Sequence, residues 1–150
     1  MPLSLTQRLV KGSALTASEH DANLDAIDVG ARVEIIGVAC SDETTALTTG
    51  TAKVTFRMPF AMTVTAVRSS VTTAPTGSTL IVDINEGGAS ILGTKLSIDA
   101  SEKTSTTAAS AATITDSSIA DDAEMTIDID QIGSTVAGAG LKVWIIGTRA

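Results

Sequence analysis

Stretches in which apolar and polar residues alternate one by one constrain this sequence most strongly. The clearest runs from Met125 to Asp130, where Met, Ile and Ile alternate with Thr, Asp and Asp. A period of two places the apolar side chains on one face of a strand and the polar ones on the other. Such stretches recur with turn signals at roughly 8–12-residue spacing, which is typical of an antiparallel sandwich or jelly roll. The sequence therefore predicts a mainly β chain with an antiparallel, jelly-roll-like β-sandwich, and no βαβ order suggests a parallel sheet.

The alternating stretches give the boundaries of the predicted strands. In the third of them the apolar phase changes after Ala66, which predicts a β-bulge. Asn85 to Gly88 is interpreted as a hairpin turn, and Ala74 to Gly77 as a second turn. The predicted strands cover residues 33–38, 54–58, 62–71, 80–85, 91–98, 112–115, 125–130 and 141–146, and the predicted loops cover residues 41–50, 99–110 and 133–140.

One short helix is predicted near the N-terminus. Thr16 and Glu19 form a capping box, in which the Thr16 hydroxyl accepts from the Glu19 amide and the Glu19 carboxylate accepts from the Thr16 amide. The helix is expected over residues 16–29, with Gly30 at the position after its end. Its apolar stripe is thin, so the helix needs packing from elsewhere to persist.

The N-terminal region is predicted to serve assembly. Residues 1–15 are expected to form an extended arm, so that arm and helix together (1–30) precede a β-sandwich over 31–150. An arm and a helix that bury little within their own chain are natural contacts to neighbouring chains. We therefore expect residues 1–30 to anchor or oligomerise the protein. The predicted oligomer or anchor contacts are Leu15, His20, Leu24 and Ile27.

Composition excludes several classes of partner. Ten basic residues stand against 17 acidic ones, a net charge of −7, so neither nucleic acid nor an anionic membrane surface is an expected partner. No apolar run is long enough to span a bilayer, and the first residues do not resemble a secretory signal. Aromatic residues make up only 2% of the chain, which leaves little to stack a sugar, although residue counts alone do not exclude a pair of glycosidase carboxylates.

Residue types that carry catalysis are sparse. The single histidine, His20, is interpreted as a surface or interface residue, and the single cysteine, Cys40, as a small buried one. The acidic residues 116–124 are interpreted as solvated, with a structural calcium site as the alternative, and their spacing fits no EF-hand. Residues 133–140 lack the Lys-Ser/Thr ending of a phosphate loop. We therefore predict no enzyme and no catalytic, cofactor or metal site, and we interpret Trp144 in the last strand as a core residue.

Two sets of residues resemble proteins of tailed bacteriophages. Lys11 to Leu24, KGSALTASEHDANL, resembles the KGSxLTxxExDxN segment near the N-termini of phage fibre and appendage proteins, with Leu24 where that family often has Phe. Residues 59–68, 74–78, 82–85 and 127–134 are similar, in the same order, to a β-sandwich module of phage and prophage virion proteins. The resemblance implies a structural component of the virion, often a homotrimer, and implies no catalytic residues.

Within that family we expect a capsid decoration (cement) or head-fibre subunit, whose residues 1–30 dock on the shell while residues 31–150 project outward. The expected partners are further copies of the chain and the major capsid protein or another virion protein. The expected location is the virion, after synthesis in the cytoplasm of the bacterial host. The alternative is a receptor- or glycan-binding module of a tail fibre or tail tip, which would contact the host surface through residues 41–50, 99–110 or 133–140. A small hydrolase is a third, weaker alternative.

Overall fold

In the part of the chain that the structure describes, one N-terminal helix is followed by strands, which provide most of the regular structure. The computed structural model describes residues 13–30 and 32–150, and the side chains of residues 26–30 lie outside that description. The predicted arm falls largely on residues 1–12, which are outside it as well. The elements are α1 (Ala17–Gly30), β1 (Val33–Ala39), β2 (Gly50–Arg57), β3 (Met62–Ser70), β4 (Leu80–Glu86), β5 (Ala89–Ser90), β6 (Leu92–Thr94), β7 (Leu96–Ile98), a single 3-10 turn (Ser105–Thr107), β8 (Thr113–Ile114), β9 (Ser118–Ile119), β10 (Glu124–Gln131) and β11 (Lys142–Arg149).

Two antiparallel sheets carry the fold. One has the strand order β1–β11–β3–β9 and the other β2–β10–β4–β5, with β7 also paired to β4 and with β6 and β8 in a small ladder of their own. For comparison with an eight-stranded jelly roll, β5–β7 of the described residues are counted together as the fifth strand and β8–β9 as the sixth. β10 and β11 are then the seventh and eighth strands. The sheets then have the orders first–eighth–third–sixth and second–seventh–fourth–fifth, which is the order of a jelly roll. The predicted mainly β, jelly-roll-like sandwich is confirmed.

The core lies between the two sheets and follows the predicted alternation. On β10 the side chains of Met125, Ile127 and Ile129 are buried, whereas the residues between them are not. Each such side chain contributes about 1.5–3 kcal/mol by leaving water. The inward faces of the long strands supply most of the core: Met62, Val64, Leu80, Val82, Ile84, Met125, Ile127, Ile129, Val143 and Ile145.

The helix begins as the sequence predicts. The Thr16 amide donates to Glu19 Oε2 over 2.7 Å, and the Glu19 amide donates to Thr16 Oγ1 over 3.2 Å, so the capping box is formed. The helix runs to Gly30 itself, one residue further than expected. Termini of helices shift by a residue or so without a change in the fold.

The predicted bulge lies in β3. The register with β11 passes from Ile146 opposite Ala66 to Gly147 opposite Val64, so Thr65 is the extra residue. Gly147 is required beside it, because a Cβ there would lie 2.2 Å from the carbonyl oxygen of Thr63. The bulge explains why the buried side chains of β3 change parity along the strand.

Residues 91–98 do not form the single strand that was predicted. The hairpin turn is confirmed, with Gly87 and Gly88 at φ of 55° and 86°, but the strand after it divides into β5, β6 and β7. The chain bends at Ile91, whose carbonyl accepts from the amides of Thr115 and Asp116. β6 can therefore pair with β8 while β7 returns to β4. The last strand also runs further than predicted, to Arg149, and β9 was not predicted.

Candidate functional site

The predicted contact residues of the helix are arranged as follows. Leu15 is half-buried, His20 is exposed, and Leu24 leaves 64% of its surface open to solvent. The side chain of Ile27 lies outside the described residues. The helix approaches β11, and among the described residues nothing covers the face around Leu24. Leu24 is thus available to another molecule, and its role as a contact stays a prediction.

The outward side of the β1–β11–β3–β9 sheet is unusually apolar. Paired residues of neighbouring strands point to the same side of a sheet. The pairing therefore aligns Ile35 with Ile146 and Ala66 in one row and Gly37 with Trp144 in the next. We call this surface the outer apolar face, and it consists of Val33, Ile35, Ala66, Trp144 and Ile146. Val33 and Ile35 are 65% and 59% exposed.

Trp144 belongs to this face and not to the core, which corrects the interpretation from sequence. Its neighbours Val143 and Ile145 point inward and are fully buried, whereas Trp144 is half-buried on the outside. The indole lies beside β1, where a Cβ on Gly37 would be 3.5 Å from its Cδ1 and Nε1 atoms. The sequence could not show this because β11 is apolar on both sides at this point.

A shallow cleft lies on the outer apolar face. It has a volume of about 480 Å³. Its apolar part is formed by Ile35, Trp144 and Ile146, and its polar rim by Arg68, Ser70, Thr104 and Thr106. The cleft therefore combines a hydrophobic floor with hydroxyl groups and one guanidinium, a combination found where protein surfaces meet.

The edge of the same sheet is also uncovered. In the described residues β1 pairs with β11 on one side, and no strand pairs with its other side. An edge strand offers unpaired N–H and C=O groups that another chain can pair with. Neither a proline nor a lysine occurs between Val33 and Ala39 to discourage such pairing.

On this side of the molecule, the charged residues lie at the border of the outer apolar face. Lys142 Nζ lies 2.5 Å from Glu43 Oε1, and the Thr72 hydroxyl donates to the same carboxylate. The hydrogen bonds from Lys142 and Thr72 hold the pKa of Glu43 below its usual range. Next to Glu43, Asp42 accepts hydrogen bonds from the amide of Thr45, the largest cause, and from that of Thr44, and these bonds lower its pKa to about 2.

A second cleft lies on the outward side of the other sheet. It has a volume of about 440 Å³ and its lining includes Lys95, Asp99, Gln131 and Thr79. Lys95 Nζ is fixed between Asp130 at 2.5 Å and the buried Asp83 at 2.9 Å. The hydrogen bonds to these two carboxylates, that to Asp130 first, raise the pKa of Lys95.

The residues considered for chemistry lie apart from one another. Cys40 is buried as predicted, and burial raises the pKa of its thiol to about 11. Asp116 accepts from the amide of Ser118, and Glu124 lies 3.3 Å from Arg57. Over the range that the structure describes, no group of three His, Cys, Asp or Glu side chains is placed to hold a metal ion. No helix in that range is long and apolar enough to cross a bilayer.

Sequence reasoning missed the outer apolar face, although one signal for it exists. The segment Val33 to Val38 carries Val and Ile at both parities, which is the pattern of a strand covered on both sides. In the described residues, only the inward side of β1, with Ile36 and Val38, is covered. Comparison with known proteins adds no candidate for the other side, since no protein family, curated protein or solved structure matches the chain.

Proposed function

We propose that the chain is a structural subunit of a bacteriophage virion, a homotrimeric capsid decoration (cement) or head-fibre subunit. In this proposal residues 1–30 dock on the shell and the jelly roll projects outward. The observation that carries it is the outer apolar face together with the exposed Leu24. An apolar surface of this kind, rimmed by polar groups, marks a site of interaction with another protein.

Two further points support this proposal. The jelly roll is an architecture that viral capsid domains use, which is support by analogy because one fold serves many functions. The segment Lys11 to Leu24 resembles the N-terminal segment of phage appendage proteins, and in this chain it contains the capping box that starts the helix. Both points favour an assembled, non-enzymatic role.

Particles that lack the protein provide the test. Purified chain is added to particles of a phage from which its gene has been deleted, and the particles are then sedimented. We expect saturable binding at a fixed ratio to the major capsid protein. A chain that stays in the supernatant at every concentration would contradict the proposal.

The helix is tested in the same assay. Leu24→Asp combined with Ile27→Asp should weaken rebinding or assembly by tenfold or more, which corresponds to about 1.4 kcal/mol, and the circular dichroism of the sandwich should not change. Ser18→Asp with Ala22→Asp is the matched control, because these exposed residues lie on the opposite side of the helix. Equal binding of the two double variants would show that the helix stripe is not the anchor.

The alternative is a receptor- or glycan-binding module at a fibre or tail tip, and the second cleft favours it because a loop considered from sequence lines it. Residues 99–110, one of the loops considered from sequence, contribute Asp99, Ala109 and Ser110 to that cleft. The cleft combines hydroxyl, amide and carboxylate groups with apolar surface that includes the half-buried Ile81, a mixed lining that could accept a ligand with both polar and apolar parts. Under this alternative, excess purified chain would inhibit adsorption of the phage to its host, and Asp99→Ala would abolish the inhibition.

A further inference from the structure

We propose that the outer apolar face is the contact surface between copies of this chain. The inference rests on the proposed function in one respect, namely that the subunit is a homo-oligomer. It adds the surface on which the copies meet: strands β1 and β11, with Ile35 and Trp144 at the centre.

The exposed apolar residues of the chain are concentrated at this place. The described residues contain four large hydrophobic side chains that are exposed, and three of them, Leu24, Val33 and Ile35, follow one another along α1 and β1. These three residues therefore belong to two elements that follow one another in the chain, α1 and β1. Burial of these side chains against another molecule is favourable, because it removes apolar area from water.

The distribution of charge favours a second copy as the occupant. Each copy carries a net charge of −7, so two copies repel each other over most of their surface. The register of β1, β11 and β3 places no Asp or Glu on the outward side of these strands, where Arg68 and Lys142 are the charged residues. Asp42 and Glu43 lie only at the border of this side, where Lys142 pairs with Glu43. Two acidic copies can therefore bring the centres of these faces together without opposing carboxylates.

The helix points to the same occupant. An isolated helix of 14 residues is marginal in water, and α1 has a thin apolar stripe with Leu24 exposed. Packing between the helices of neighbouring copies would stabilise it. That packing would also bring the strands that follow, β1 of each copy, next to the neighbouring subunit.

Native mass and the single tryptophan test the inference together. The mass of the full chain is measured by light scattering on a sizing column, and quenching of Trp144 by acrylamide is measured on the same samples. We expect a mass near three chains of 15.2 kDa and a weakly quenched indole. Ile35→Lys should reduce the mass about threefold, to that of one chain, and increase the quenching.

Val136→Lys is the matched control. Val136 is the fourth exposed hydrophobic residue, 42% exposed, and it lies in the loop between β10 and β11 and not on the sheet. Its substitution should leave both mass and quenching unchanged. Both variants replace an exposed side chain, so neither should affect folding, which circular dichroism checks.

Two results would overturn the inference. If the native mass of the Ile35→Lys variant equals that of the wild-type oligomer, the contact between copies lies elsewhere. A wild-type mass of one chain at all concentrations would assign the face to a different occupant, such as another virion protein or residues 1–12. The first result leaves the proposed function untouched, and rebinding to gene-deleted particles would remain intact. The second result would also remove the trimer from that function, whereas rebinding would still test docking on the shell, so the two failures are distinguishable.

Discussion

At the scale of single residues, charged side chains of this protein stabilise local structure through hydrogen bonds and ion pairs. Asp42 accepts from the amides of Thr44 and Thr45 at 2.8 and 2.6 Å and thereby fixes the start of the loop after β1. Its pKa of about 2 in the folded protein is below the value near 3.9 in an unfolded chain. The carboxylate therefore stabilises the fold above pH 4, and this contribution is lost as the pH falls through 2.

Melting temperatures across pH test this assignment. Asp42→Ala should melt below the wild type by a constant interval at pH 5–7, and the interval should shrink as the pH falls from 4 to 2. Asp121→Ala, which removes an exposed carboxylate from another turn, is the control. An interval for Asp42→Ala that is the same at pH 2 and pH 6 would be inconsistent with a carboxylate acting in its charged form.

Lys95 is the second residue for which a change in stability is expected. Asp83 is buried and depends on Lys95 and on the Ser90 hydroxyl, which donates over 2.6 Å. Lys95→Met leaves the buried carboxylate without its cation and should cost about 1–3 kcal/mol, less than for a fully buried pair because Lys95 is itself partly exposed. Urea unfolding measures the change. Lys53→Met, at an exposed lysine, should stay within about 0.5 kcal/mol, and equal losses in both variants would refute the role of Lys95.

At the scale of elements, β3 and β11 depend on the bulge at Thr65. Gly147 lies opposite it, and a methyl group there would collide with the Thr63 carbonyl. Gly147→Ala should therefore destabilise the protein by about 1–3 kcal/mol or more. Gly87→Asn is the contrast. Gly87 has a left-handed φ of 55°, a conformation that asparagine tolerates, and a Cβ added there would meet no atom within 4 Å. A stable Gly147→Ala variant would contradict the close approach of the strands.

Elements defined by neighbouring residues are the ones that the sequence predicts well. The capping box needs only Thr16 and Glu19, and the hairpin needs only two consecutive glycines, so both are confirmed. The division of residues 91–98 was not predictable, because it depends on β8, which lies about twenty residues further along the chain. The outward position of Trp144 was missed for a related reason: β11 is apolar on both sides, and only the strand pairing decides which side is the core.

At the scale of the whole molecule, the described residues form a well-packed sandwich and an N-terminal surface that no other described residue covers. The core between the sheets is fully buried, whereas Leu24, Val33 and Ile35 remain exposed. The net charge of −7 opposes association over most of the surface, and we propose the outer apolar face as the place where regular contacts form. This combination is what a subunit needs if it folds alone and is then incorporated into an assembly.

Electron microscopy of phage particles labelled with gold-coupled antibodies against the chain would show where the protein resides. We expect gold on the head shell of wild-type particles and none on particles from the gene-deleted phage. Label at the tail tip would contradict placement on the capsid and support the receptor-binding alternative. Particles that carry no label anywhere, while the antibody detects the chain in the surrounding lysate, would contradict a structural role in the virion.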